Sequence, residues 1–229
     1  MNYSLITLEI LAVLMGLIVL LADLWVSPTA RKALGLGLAA ALGCLLAFAV
    51  GSLAPQSGSA FSDMFVVDDL ARYFKGFFLF AALAVVLMAV DFAPKFGAGL
   101  SEFFALTVFA LVGMLFAASA NDLVLLFVSL ELITVTFYVL NSFQRTQLAS
   151  LEAGVKYLIL GGVSSAFMVF GIALIIAAMW VRHGGLDLFD SPQNALVATG
   201  QLTALFGTYL ALVGILLMSR APFIDQVLG

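Results

Sequence analysis

The sequence has 229 residues, of which 64% are hydrophobic and 10% charged, and its mean hydropathy is +1.21. Soluble domains do not reach these proportions, whereas chains that cross a membrane many times do. The net charge of -4 is spread over short segments with no basic run, which excludes a nucleic-acid footprint and a polybasic lipid anchor.

Apolar runs of spanning length fall at 5–26, 33–53, 70–92, 101–119, 122–141, 154–181 and 197–219. They predict an all-α, polytopic transmembrane helix bundle of about seven helices, with residues 1–229 forming a single domain. The first run contains Glu9 and Asp23, has no basic segment before it and is followed by a poor cleavage site, so it reads as an uncleaved spanning helix. The separators are VSPTARK, a longer loop over 54–69 containing PQSGS, FAPKFG, a tight SAND turn, NSFQRTQLASLE and RHGGLDLFDSPQ. Pro, Gly, Ser, Asn and Asp are the residues expected where helices stop.

Gly35, Gly37, Ala39 and Gly43 in the second run, and Gly161, Gly162, Ser164 and Ser165 in the sixth, predict close helix approach in lipid. The 21 phenylalanines are scattered, as suits lipid and helix contact surfaces. Cys44 stands alone, which excludes an intrachain disulfide and a cysteine-ligated metal or iron–sulfur site within this chain; inside an apolar run it reads as a small packing residue.

Basic residues near the helix ends set the orientation. Arg31, Lys32, Lys95, Arg145 and Arg220 lie on one side; Arg72, Lys75 and Arg182 lie on the other, with Asp63, Asp68, Asp69, Asp122, Asp187 and Asp190. The excess places the N-terminus outside, on the periplasmic face of the inner membrane if the source is bacterial.

Glu131 is the residue that most needs a reason. About ten residues separate it from either end of its run, which puts it near the bilayer midplane. A carboxylate there costs about 2.5 to 3.5 kcal/mol on insertion scales and usually serves a partner, a water-filled cavity or a proton path. Thr134, Tyr138 and Asn141 share its helix face, and Arg145 extends the stripe. In the other direction the same face carries Val128, Phe127 and Val124. This asymmetry reads as a half-channel from the inner side to Glu131; the alternative is a set of hydrogen bonds to a neighbouring helix.

Lys156 lies one turn beyond Glu152, so its ammonium can stay at the interface. Alternatively it lies beside Glu131, or on a file of buried charges in which each group responds to its neighbour's proton. His183, in a turn before two glycines, reads as a surface residue. No nucleotide-binding, zinc-protease, CxxC or hydrolase motif is present, so no catalytic, metal or cofactor site is expected in this chain.

The segments LEILAVLMGLIVLLADLW, DDLARYFKGFFLFAALAVVL, EFFALTVFALVGMLFAASANDLVLLFVSLELITVTFYVL and EAGVKYLILGGVSSAFMVFGIALI resemble the antiporter-like family of respiratory complex I membrane subunits, in particular its subunit N branch. The resemblance covers most of the chain. It implies a proton-translocating subunit of NADH:quinone oxidoreductase, without redox cofactors of its own, that works beside other membrane subunits in the lipid bilayer. It also implies that Glu131 is the family's functional glutamate and Lys156 its sixth-helix lysine.

The family fold has about fourteen helices, with two five-helix repeats of inverted topology, so the resemblance predicts that this sequence is a truncated or frame-altered one. A half-subunit completed by another chain is the alternative. Where the family carries a seventh-helix lysine shortly before Pro-Phe-His, this sequence reads GILLMSRAPFIDQVLG, with Leu217 or Met218 at the lysine position and Ile224 for the histidine. Arg220, the nearby cation, is a poor proton relay because it does not deprotonate. The rival functions are a subunit of a multisubunit cation/proton antiporter and a truncated, non-transporting structural subunit.

Overall fold

The computed structural model describes residues 3–26, 31–51, 57–96, 99–185, 194–195, 197–201, 203 and 207. They fall into two units, Met1–Phe143 and Gln144–Gly229. Six described helices are long and apolar enough to cross a membrane. In lipid a segment must satisfy its own backbone hydrogen bonds, and so apolar runs of this length become helices.

In the first unit a short 3-10 turn, Tyr3–Ile6, leads into α1, Thr7–Ala22, and α2 follows at Arg31–Val50. The two are tied at one end by Arg31 Nε and Asp23 Oδ1, 3.2 Å apart. A hairpin comes next, with β1 at Gly58–Ala60 and β2 at Phe65–Val67. Its strands are antiparallel, with Gly58 opposite Val67 and Ala60 opposite Phe65. Then α3 runs over Asp69–Phe96, α4 over Leu100–Ala118 and α5 over Leu123–Asn141.

Local chemistry explains the boundaries. Ahead of α3, the carboxylate of Asp68 accepts from the backbone N–H of Ala71 at 2.7 Å. Gly99 opens α4 with φ of 101°, a conformation that costs glycine little. In the SAND turn, Asp122 caps α5 by accepting from the N–H of Val124 at 2.8 Å. The first five apolar runs thus appear as α1 to α5, with ends differing by a few residues.

The loop expected over 54–69 is partly a strand pair. Three-residue strands are too short to show an alternating pattern in sequence. Phe61, Ser62 and Asp63 between the strands all have positive φ, at 56°, 54° and 65°. For residues other than glycine this left-handed conformation costs about 1–2 kcal/mol each, less for Asp. Asn121 holds the turn in place: its side chain donates to the carbonyl of Asp63 at 2.8 Å and its N–H to that of Met64 at 2.9 Å. The N–H of Val66 donates to the carbonyl of Ser119 at 2.9 Å, so the hairpin is stitched to the α4–α5 turn.

Helix α4 is the centre of this unit, with α1, α2, α3 and α5 packed on it. Phe104, Val108, Leu111 and Leu115 along it are fully buried, against Ala12, Leu42, Leu79 and Val86 of the other helices. Two glycines set the spacing. A Cβ on Gly35 would stand 2.5 Å from the Phe104 ring and 2.6 Å from Val90, and one on Gly113 would stand 2.7 Å from Ile133 and 3.0 Å from the carbonyl oxygen of Ser129. Gly37 and Gly43 have open space instead, so the small-residue stripe of the second run is a contact surface at Gly35 and the buried Ala39 but not at the other two glycines. Cys44 is exposed rather than packed.

In the second unit α6 covers Leu148–Trp180 and ends in a π-type turn, Val181–Gly185, where Gly184 has φ of 81°. The helix starts six residues before the predicted apolar run because Leu148 to Ala153, polar in part, continue the same helix. His183 is exposed, with Nδ1 2.7 Å from the carbonyl oxygen of Met179. Of the seventh predicted run, residues 197–201, 203 and 207 are helical and the rest lies outside the described residues, as do Leu217, Met218, Arg220 and Ile224.

Candidate proton-transfer site

Glu131 stands eight residues into α5 and ten from its end, or about 12 and 15 Å along the axis. It is half-buried, as are Thr134 and Tyr138, and Asn141 is exposed. The face of α5 that meets α4 is marked by Ser129 and Ile133, which crowd Gly113, and by the buried Thr136. At about 100° per residue, Glu131, Thr134, Tyr138 and Asn141 cluster on the opposite face. These four residues therefore share one face of α5, turned away from the α4 core.

Hydroxyls along α5 bond back to their own helix, as a lipid environment requires. Ser129 donates to the Leu125 carbonyl at 2.6 Å, Thr136 to that of Leu132 at 2.7 Å, and Thr134 to that of Glu131 at 3.0 Å. Thr134 is thus held directly beside Glu131, with its oxygen lone pairs still able to accept.

Lys156 belongs to the second unit, where its Nζ pairs with Glu152 one turn earlier and both side chains are largely exposed. The 33-residue α6 is about 50 Å long, against about 30 Å of hydrocarbon. About twenty residues counted back from Trp180 end one turn short of Lys156, so within its own helix Lys156 lies at the edge of a core-length segment.

A second pair of charges was not among the expected site residues. Lys75 Nζ of α3 lies 2.6 Å from Glu9 Oε1 of α1, and the two side chains are 6% and 0% exposed. The contact lies off the hydrogen-bond direction, and neither carboxylate oxygen has a donor in hydrogen-bonding geometry among the described residues. The ammonium also stands 4.8 Å from the centre of the Phe65 ring, a cation–π contact that the hairpin supplies. Phe65 is itself buried and meets Phe116 edge-on at 6.2 Å between centroids.

Lys75, counted from the sequence with the charges at the mouth of the third helix, is thus buried. A depth comparison could have found the pair: Glu9 is six residues from Tyr3 and Lys75 six from Asp69, each about 10 Å in from the hairpin side.

Residues 120–224 match the family described as NADH:quinone oxidoreductase/Mrp antiporter, TM. A NADH-quinone oxidoreductase subunit N from Heliobacterium modesticaldum is 41% identical over 178 residues, covering 76% of this chain and 37% of the relative. The subunit of the same name from Moorella thermoacetica is 35% identical over 93% of this chain and 44% of its own length. The F(420)H(2) dehydrogenase subunit N of Methanosarcina mazei is 34% identical over 90% of this chain and 44% of its own.

The chain belongs to the antiporter-like family. It is a multi-pass integral membrane protein of the subunit N type, and it spans about two fifths of the length of the curated relatives it matches. The segment matched by the antiporter family contains Glu131, Thr134, Tyr138, Asn141 and Lys156, whereas Glu9 and Lys75 precede it.

Proposed function

We propose that this chain is a proton-translocating piece of the membrane arm of an NADH:quinone oxidoreductase, held in a bacterial inner membrane beside other membrane subunits of that complex. Protons reach Glu131 from the inner side along Asn141, Tyr138 and Thr134. Glu131 holds the proton near mid-membrane, and Lys156 is the charge to which its state is coupled. Quinone reduction elsewhere in the complex supplies the energy by shifting these groups' proton affinities.

The observation that carries this reading is the polar stripe on α5. A half-buried carboxylate at mid-helix has a hydroxyl, a phenol and an amide in line with it towards one end of the helix only. The names of the relatives support the class of complex. They differ in electron donor, NADH in two and F(420)H(2) in the third, so the likeness travels with the membrane subunit and not with the donor site.

The test is Glu131→Gln in the assembled complex, in sealed vesicles supplied with electron donor. Coupled proton translocation is expected to fall to a small fraction of wild type with assembly intact; near-normal pumping overturns the assignment. The family description also names the Mrp antiporter, which favours a second reading as a cation/proton antiporter subunit. Sodium-dependent pH gradients in the same vesicles, without any electron donor, would support that reading instead.

A further inference from the structure

We propose that Glu9, paired with Lys75, is a second proton-binding site of this chain, exchanging its proton with the aqueous phase on the hairpin side. Its place in a transport path rests on the proton-translocation reading above; its existence rests on geometry alone.

Packing does not account for the pair. Two apolar side chains of similar volume fill such a site at least as well as a buried ion pair, whose desolvation offsets most of its attraction. Ionisable groups inside a membrane segment, in contrast, usually mark ion or proton paths.

The chemistry suits reversible protonation. Lys75 approaches Glu9 through Oε1, and Oε2 has no donor among the described residues. A proton taken from water onto Oε2 converts the carboxylate to a neutral acid and breaks no covalent bond other than the donor's O–H. The ammonium of Lys75 keeps the face of Phe65 at 4.8 Å, so it retains a partner in both states. Release returns the proton to water and restores the ion pair.

A route to the surface is marked by two further buried polar atoms at the same end. Arg72 Nε in the first turn of α3 and Ser119 Oγ at the end of α4 have no hydrogen-bond partner among the described residues. Buried atoms of this kind take water, and water carries protons. Over them lies the hairpin, whose left-handed turn is pinned by Asn121.

The other charged groups on the elements around the pair have their own engagements. Arg72 reaches Asp69 at 3.5 Å and the Ser57 hydroxyl at 3.2 Å, and Asp68 and Asp122 cap α3 and α5. Asp63 stands in the exposed hairpin turn. Among the described residues none of these forms an ion pair with Glu9 or Lys75.

The decisive experiment is infrared difference spectroscopy on the intact complex in sealed vesicles, stepping only the pH on the hairpin side. Wild type should show the carbonyl band of a carboxylic acid appearing with the step, and Glu9→Gln should remove it while Glu131→Gln leaves it. A band unchanged by Glu9→Gln overturns the proposal whether or not Glu131 proves to be the pump's carboxylate. Because single substitutions leave one buried charge, the double variant with Glu9→Leu and Lys75→Leu provides the folding control. It should assemble normally, lack the band and release protons to that side severalfold more slowly. Wild-type release from the assembled double variant would reduce the pair to a structural one.

Discussion

Three ionisable residues in one small membrane protein, one buried, one half-buried and one exposed, face three different environments. Glu9 has a cation at 2.6 Å and an aromatic ring behind that cation. Glu131 stands at mid-helix with Thr134 bonded to its own carbonyl. Lys156 has Glu152 one turn away on an exposed face. The last arrangement separates two roles that the sequence left open. If Lys156 couples to the proton on Glu131, Lys156→Met should lower proton translocation severalfold, whereas Glu152→Gln should leave it unchanged because an exposed pair contributes little. Equal loss in both variants would mean that the Glu152 pair is what matters. The i,i+4 spacing of Glu152 and Lys156 places the two side chains in contact on one helix. No local pattern could give the lysine's depth, which follows from a helix longer than the membrane is thick.

At the scale of elements, the position of α5 is set by a single close approach. A methyl group on Gly113 would meet Ile133 and the backbone of Ser129, two residues to either side of Glu131 in sequence, and backbone cannot yield as a side-chain tip can. Gly113→Ala should therefore cost about 1–3 kcal/mol, seen as a lower thermal unfolding midpoint in mild detergent. It should also reduce pumping by tilting the Glu131 face. Gly43→Ala, which adds its methyl to open space, is the control and should be neutral or slightly stabilising.

At the α4–α5 turn, Asp122→Ala removes the cap of α5 and should cost about 0.5–2 kcal/mol. The SAND turn was legible because Asp before an apolar run is a start signal. The hairpin was not, because its strands gain their stability from Asn121, Ser119 and Phe116, which lie far along the chain.

For the whole molecule, a chain that crosses the bilayer repeatedly alternates its loops between two sides, and the basic residues near the helix ends predict which side is inner. Lys75, one of the three basic residues assigned to the outer side from the sequence, is buried and drops out of that count. A membrane-impermeant thiol reagent applied to intact cells should label Ser62→Cys in the hairpin, in a Cys44→Ser background, and should reach Gln147→Cys only after permeabilisation. The opposite result inverts the orientation and with it the direction in which protons approach Glu131.

The sequence by itself determined the spans, most of their boundaries and the mid-helix carboxylate. Lipid allows an apolar run only one regular structure that satisfies its backbone, and depth along that structure is a matter of counting. It also carried the family resemblance, because that lies in contiguous segments. Which charges are buried together was decided by tertiary structure alone. Glu9 and Lys75 sit in different helices that meet only when α1 and α3 both pack on α4, and Phe65 reaches the ammonium only when the hairpin folds over that end. The energy of a buried charge depends on what surrounds it at contact distance, and that information is held by the packing of distant segments, not by the pattern within any one of them.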